Sequence, residues 1–261
     1  MKKILLVLLF TPVLAMAQSS PFDGTWKLDM KKAQLPKNPE VYLLQNGMYS
    51  CKTCVPAYKV KADGTDQPVT GDPYASAVSV KVIDDHNVEI TGKKDGKTTF
   101  SSKNTISADG NMLTANWTYN GNPDGGPVTG KDIMKRVEKG PAGANLLSGS
   151  WREEKTEDMP DSALTFTCKM NGDELSMSTP TGQGYTAKLG GGEAPYKGDP
   201  GITSVSLKKI NDHTIEETDL RDGKPVSVAR MTVSSDGKKM TVDVTDKLHG
   251  KTSKFVADKQ S

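Results

Sequence analysis

The sequence predicts an all-β protein built as two tandem antiparallel β-barrels, with two β-sandwiches as the alternative. Three observations carry that expectation. Short segments alternate apolar and polar side chains, as in Val78-Ser79-Val80-Lys81-Val82, Val88-Glu89-Ile90-Thr91 and Met240-Thr241-Val242-Asp243-Val244. This period of two belongs to strands with one buried and one wet face. Hairpin dipeptides punctuate the strands: Asp-Gly begins at 23, 63, 95, 109, 124, 222 and 236, and Asn-Gly at 46, 120 and 171. Both tolerate the positive φ that tight turns need. Finally, residues 58–118 align with 185–245 at a constant offset of 127, with 24 of 61 positions identical. A gap-free repeat of this length marks an internal duplication. Near-sequential hairpins, about eight strands per copy, favour closed barrels, which leave no exposed edge.

In chain order, Lys2 and Lys3 precede the apolar run Ile4–Phe10, and Ala15-Met16-Ala17 offers a small-residue cleavage site before Gln18. Residues 1–17 therefore read as a secretory signal peptide, and the mature protein as exported, periplasmic or secreted. No Cys follows the cut, which argues against a lipoprotein. No later stretch reaches the roughly 18 apolar residues of a membrane span. The chain has 34 Lys+Arg against 32 Asp+Glu, and 32 of each without Lys2 and Lys3. Such a balance gives no basic field for nucleic acid.

Module one is read over 19–139, a linker over 140–146 and module two over 147–261. Each module opens on the same pattern, Gly24-Thr25-Trp26 and Gly149-Ser150-Trp151, and both continue into alternating strands. The linker region, EKGPAGANLLS over 138–148, is rich in small residues. The Gly-x-Trp openings resemble those of lipocalin-type barrels. In that family the Trp closes one barrel end against a basic residue of the last strand, which implies Arg136 as the partner in module one and a looser equivalent, Lys259, in module two. The mature chain as a whole is similar to uncharacterised exported bacterial proteins in which GTWKL openings, P-x-x-GDP turns and S-x-DGK hairpins recur. The resemblance implies a lipocalin-like fold and a binding role, and brings no activity with it.

Chemistry-bearing residues are few. Cys51-Lys52-Thr53-Cys54 reads as a local disulfide in an oxidising compartment, with Cys168 a buried free thiol on a strand. Pairing of Cys168 with Cys51 or Cys54, or a thiol-disulfide redox site at Cys51/Cys54, are the alternatives. The redox reading lacks the helix N-terminus that lowers a thiol pKa. His86 and His213 fall at the same repeat position, between strands, and read as turn residues. Asn120–Gly125 resembles half a calcium loop, but its twelfth position is Lys131 instead of Glu. The paired Gly-Asp-Pro elements at 71–73 and 198–200 read as turns, with Asp72 and Asp199 as weaker ligand candidates. No catalytic triad, HExxH or phosphate loop is present, and no carboxylate is set apart by apolar neighbours. Neither metal nor cofactor is expected. The function expected is non-enzymatic binding of a small, partly apolar molecule or lipid, with Trp26, Tyr58, Trp151 and Tyr185 as ligand-contacting candidates. The alternatives are an envelope interaction or structural protein, with an unknown protein partner, and the thiol-disulfide protein.

Overall fold

The computed structural model describes residues 20–261, so the expected leader lies outside the described residues. Twenty strands follow one another. The first ten are β1 (Gly24–Leu28), β2 (Glu40–Gln45), β3 (Met48–Cys51), β4 (Tyr58–Lys61), β5 (Gln67–Pro68), β6 (Ala77–Val82), β7 (Asn87–Lys94), β8 (Lys97–Ile106), β9 (Met112–Tyr119) and β10 (Val128–Lys139). Then come β11 (Gly149–Glu157), β12 (Thr165–Asn171), β13 (Glu174–Ser178), β14 (Gly184–Lys188), β15 (Ala194–Lys197), β16 (Ser204–Asn211), β17 (Thr214–Arg221), β18 (Lys224–Val233), β19 (Lys239–Asp246) and β20 (Lys251–Lys259). All pairings between strands are antiparallel. They form two ten-stranded sheets, one closed and one nearly closed. The barrel expectation holds over the sandwich, with ten strands per sheet instead of about eight. The turn chemistry is as the dipeptides require: both residues of Asn46-Gly47, Asp95-Gly96 and Asp222-Gly223 have positive φ.

The sheets do not follow the repeat units. Strand β1 pairs with β12 and β20, inside the second barrel. Strand β11 pairs with β10 and β2, inside the first. The two modules have exchanged their opening strands. The boundary read at 139–147 therefore divides the repeats, but not the folded bodies. Leu147, placed by sequence at the start of module two, is 1% exposed in the first core. The crossings are short: a 3-10 turn at Met30–Lys32 and one helical turn at Asp161–Leu164.

The exchange corrects the expected Trp26–Arg136 partnership. Arg136 lies over Trp151, its guanidinium 3.9 Å from the ring centroid, and Lys259 lies over Trp26 at 5.1 Å. Each Trp is fully buried and donates its indole N–H four residues back: Trp26 to Phe22 O at 2.9 Å, Trp151 to Leu147 O at 2.8 Å. Arg136 also donates to the carbonyls of Gly110, Leu146 and Ser148, so the linker is sewn to the floor of the first barrel. Gly149 must be glycine. Its φ is +128°, and a Cβ would collide with the Glu138 carbonyl oxygen.

The two barrels meet through side chains and backbone of loops and strand ends. Tyr74 Oη donates to Asp199 Oδ1 at 2.8 Å, joining the two Gly-Asp-Pro turns. Asp124 N donates to Thr181 O at 3.2 Å, and Gln183 Nε2 to Asn122 Oδ1 at 3.1 Å. Lys251 of β20 pairs with Glu40 of β2. Glu40 is also the cross-strand partner of Trp151, so this ion pair lies beside the cap of the first barrel.

Candidate functional site

Inward-facing positions of the first barrel leave a cavity of about 450 Å³ running from Leu147 near the floor to Tyr119 at the mouth. Alternation places its walls. On β9 the inward series is Leu113, Ala115, Trp117 and Tyr119; on β10 it includes Asp132 and Met134; on β8 it includes Phe100, Ser102 and Asn104. Tyr42, Tyr49 and Tyr58 come from three adjacent strands, with successive ring centroids 6.1 Å apart. The volume is in the range of small-molecule sites, which are typically apolar with a few polar groups. A larger depression of about 740 Å³ lies at the capped end of the second barrel. Its wall combines the charged Asp173, Lys209 and Asp212 with Phe22, Met170, Leu189 and Ile215 of the second core.

Polar groups in the first cavity are short of partners. The buried Trp117 Nε1–H makes no hydrogen bond of good geometry, and its nearest acceptor is the Asp132 carboxyl. Asp132 and Glu153 flank the Thr156 hydroxyl, at 2.9 and 2.7 Å. A hydroxyl has one hydrogen, so Thr156 serves one carboxyl at a time, and the Trp117 indole stands beside Asp132 as a second donor. Burial raises both above the usual carboxyl range, and for Glu153 the charge of Asp132 adds to the rise. Burial also pushes the Tyr58 hydroxyl up to about 12.

The wall has a seam. In the second barrel β14 and β15 pair through Gly184–Lys197 and Tyr185–Tyr196. Their counterparts β4 and β5 end the first sheet unpaired. Beside that seam sits the Cys51–Cys54 disulfide, with Cα atoms 5.5 Å apart. The expected local disulfide is thus present. Cys51 is 1% exposed, which keeps its sulfur from an attacking thiolate.

The second barrel has a different interior. Tyr185 is buried and donates to Glu217 Oε2 at 2.5 Å; Ser227 donates to Asp219 Oδ2 at 2.5 Å. Glu217 and Asp219 are 8% and 7% exposed. The sequence reading, which set no carboxylate apart, is corrected here. The signal lay in the repeat: at offset 127, Ile90 and Gly92 become Glu217 and Asp219, and Phe100 becomes Ser227. In the first barrel Gly92 makes room for the Phe100 ring, so the exchange of Gly/Phe for Asp/Ser is coordinated. Glu217 and Asp219 lie within hydrogen-bonding reach of each other. A proton on Glu217 supplies a partner for the otherwise unmatched Asp219 Oδ1.

Of the four ligand-contacting candidates, only Tyr58 lines the cavity. Trp26 and Trp151 are caps with no exposed surface, and Tyr185 is committed to Glu217. His86 is a turn residue whose Nδ1 lies 2.9 Å from Ile106 O, and the His213 amide closes a turn on Asn211. Asp72 and Asp199 cap their own turns through the amides of Tyr74 and Gly201. Among the described residues no group of three His, Cys, Asp or Glu is placed to hold a metal ion, and no helix is long and apolar enough to cross a membrane.

Cys168 is free, 1% exposed, and its thiol is pushed up to about 12, first by burial and then by the charge of Glu217. We expect no reaction of the native protein with an aromatic disulfide reagent at pH 8, and one equivalent after unfolding without reductant. Release of a thiol from the native fold at pH 8 would contradict this packing.

A scan of the chain against protein-family models finds no match, and a search of curated proteins finds no relative.

Proposed function

We propose that the protein is a non-enzymatic binding protein, exported to an oxidising compartment, that holds a small, partly apolar molecule inside its first barrel. The observation that carries this reading is the aromatic-walled cavity beside the unpaired β4–β5 seam. The disulfide and the leader-like start of the sequence support export. Comparison of the repeats separates the two roles. Tyr58 and Ile90 are only partly buried, whereas their counterparts Tyr185 and Glu217 are closed into a hydrogen-bonded core. The first barrel is the receptor and the second its support.

The test uses the neutral dye N-phenyl-1-naphthylamine. Of the three Trp residues, Trp26 and Trp151 are sealed in the caps and only Trp117 lines the cavity. Saturable one-to-one binding should quench Trp117, and Trp117→Phe should remove the quenching. Phe100→Ala should weaken binding about tenfold, in line with loss of roughly 1–2 kcal/mol of apolar contact. Absence of saturable binding, or quenching that survives Trp117→Phe, rules the reading out.

A further inference from the structure

We infer that the cavity of the first barrel takes an organic cation, an ammonium group on an aromatic or alkyl body, and that its carboxyl pair gives up a proton as the cation enters. This rests on the binding role proposed above and specifies its ligand class. The lining contains one carboxyl, Asp132, and no Lys, Arg or His. Tyr42, Tyr58, Phe100 and Trp117 share the lining with it. Aromatic faces attract cations through their quadrupole, more so when water is excluded. An anion entering this cavity meets both Asp132 and the negative ring faces.

The proton count follows from Thr156. Its single hydroxyl hydrogen lies between two buried carboxyls, Asp132 and Glu153, and burial raises both, so toward acid pH the empty pair keeps a proton longer than exposed carboxyls would. An ammonium beside Asp132 provides the missing donors and positive charge, so the pair can ionise fully. The proton leaves to solvent, and the net charge of the site is unchanged. The other groups facing the pair are Glu40 and Tyr42 of β2 and Lys251 of β20. Lys251 is already engaged by Glu40. Trp117 on β9 is uncharged and turns its indole N–H toward Asp132.

Three probes of one shape separate the possibilities in calorimetry: 2-phenylethylammonium, 2-phenylethanol and phenylacetate. The cation should bind at least about tenfold more tightly than the alcohol at pH 8, with phenylacetate weakest. Its affinity should rise from pH 5.5 to pH 8. Titrations in buffers of different ionisation enthalpy should show protons released at pH 5.5 and few or none at pH 8. Asp132→Asn should remove the preference for the amine while keeping alcohol binding. Glu153→Gln, which leaves the lining intact, should abolish proton release. If the alcohol binds as well as the amine, or if no protons are released at pH 5.5, the cation assignment is overturned and apolar binding stands. If none of the three probes nor the naphthylamine dye binds, both readings fall.

Discussion

Replacing Trp151 by alanine is expected to destabilise the first barrel by about 3–5 kcal/mol, the range for truncating a large buried aromatic. Trp151 has no exposed surface, and its loss also frees the Leu147 carbonyl and the face on which Arg136 rests. The informative measurement is a double-mutant cycle. Arg136→Ala combined with Trp151→Ala should fall short of additivity by about 1 kcal/mol, the size of a partly desolvated cation–π contact. Arg136→Ala combined with Trp26→Ala should be additive, because Trp26 sits in the other barrel beneath Lys259. Coupling of Arg136 to Trp26 and not to Trp151 would mean that each module keeps its own opening strand, and the strand exchange would be refuted. Since each barrel holds a strand of the other repeat, truncating either Trp should move a single unfolding transition of the whole chain.

The strand exchange could not have been read from the repeat. The local requirements of a Gly-x-Trp strand are a neighbour on each side and a basic residue above the ring. Strand β11 finds them in the first barrel and β1 finds the same set in the second. The sequence of the strand is identical in its demands whether the partner lies within its repeat or across from it. Only the course of the short segments 29–39 and 158–164 decides, and neither has a periodic pattern. By contrast, the strands, the hairpin turns at Asn46, Asp95 and Asp222, the disulfide and the buried Cys168 were legible, because each is set by neighbours within a few residues.

The interiors were half legible. Tyr58 was found as a repeated aromatic, and the same logic wrongly promoted Tyr185, whose hydroxyl is spent on Glu217. What identity hides, difference reveals. Positions that differ between the copies at inward register, Ile90 against Glu217 and Gly92 against Asp219, mark where the two interiors diverged. Trp117 stands opposite Val244 in the same way. Asp132 was missed because one acidic residue in the alternating run Val128–Lys139 resembles the solvated positions around it until the strand's register is known.

Glu217 gives the second large effect, on stability against pH. Burial, then the charge of Asp219, raises its carboxyl from an ordinary 4.5 to about 8. In the unfolded chain it releases its proton near the ordinary value. Between the two the folded state binds more protons than the unfolded state, so stability falls as pH rises from about 4.5 to about 8 and levels off above. Taken over the full window, a shift of this size corresponds to about 5 kcal/mol. Glu217→Gln keeps an acceptor for Tyr185 and a donor toward Asp219 Oδ1 and cannot ionise. In urea denaturation the variant should therefore gain on the wild type between pH 5 and pH 8.5, by about 4 kcal/mol. Cys168, Tyr185 and Tyr196 face the same pair, and burial raises each of them above its usual range, which places them beyond this window. Asp132 and Glu153 tilt both proteins alike and cancel in the comparison. Equal pH slopes in wild type and variant would show that Glu217 is ionised in the fold and that Asp219 Oδ1 finds its partner elsewhere. A steeper fall for the wild type would establish a neutral carboxyl as the element that closes the second barrel, at the positions where the first barrel has Ile90 and Gly92.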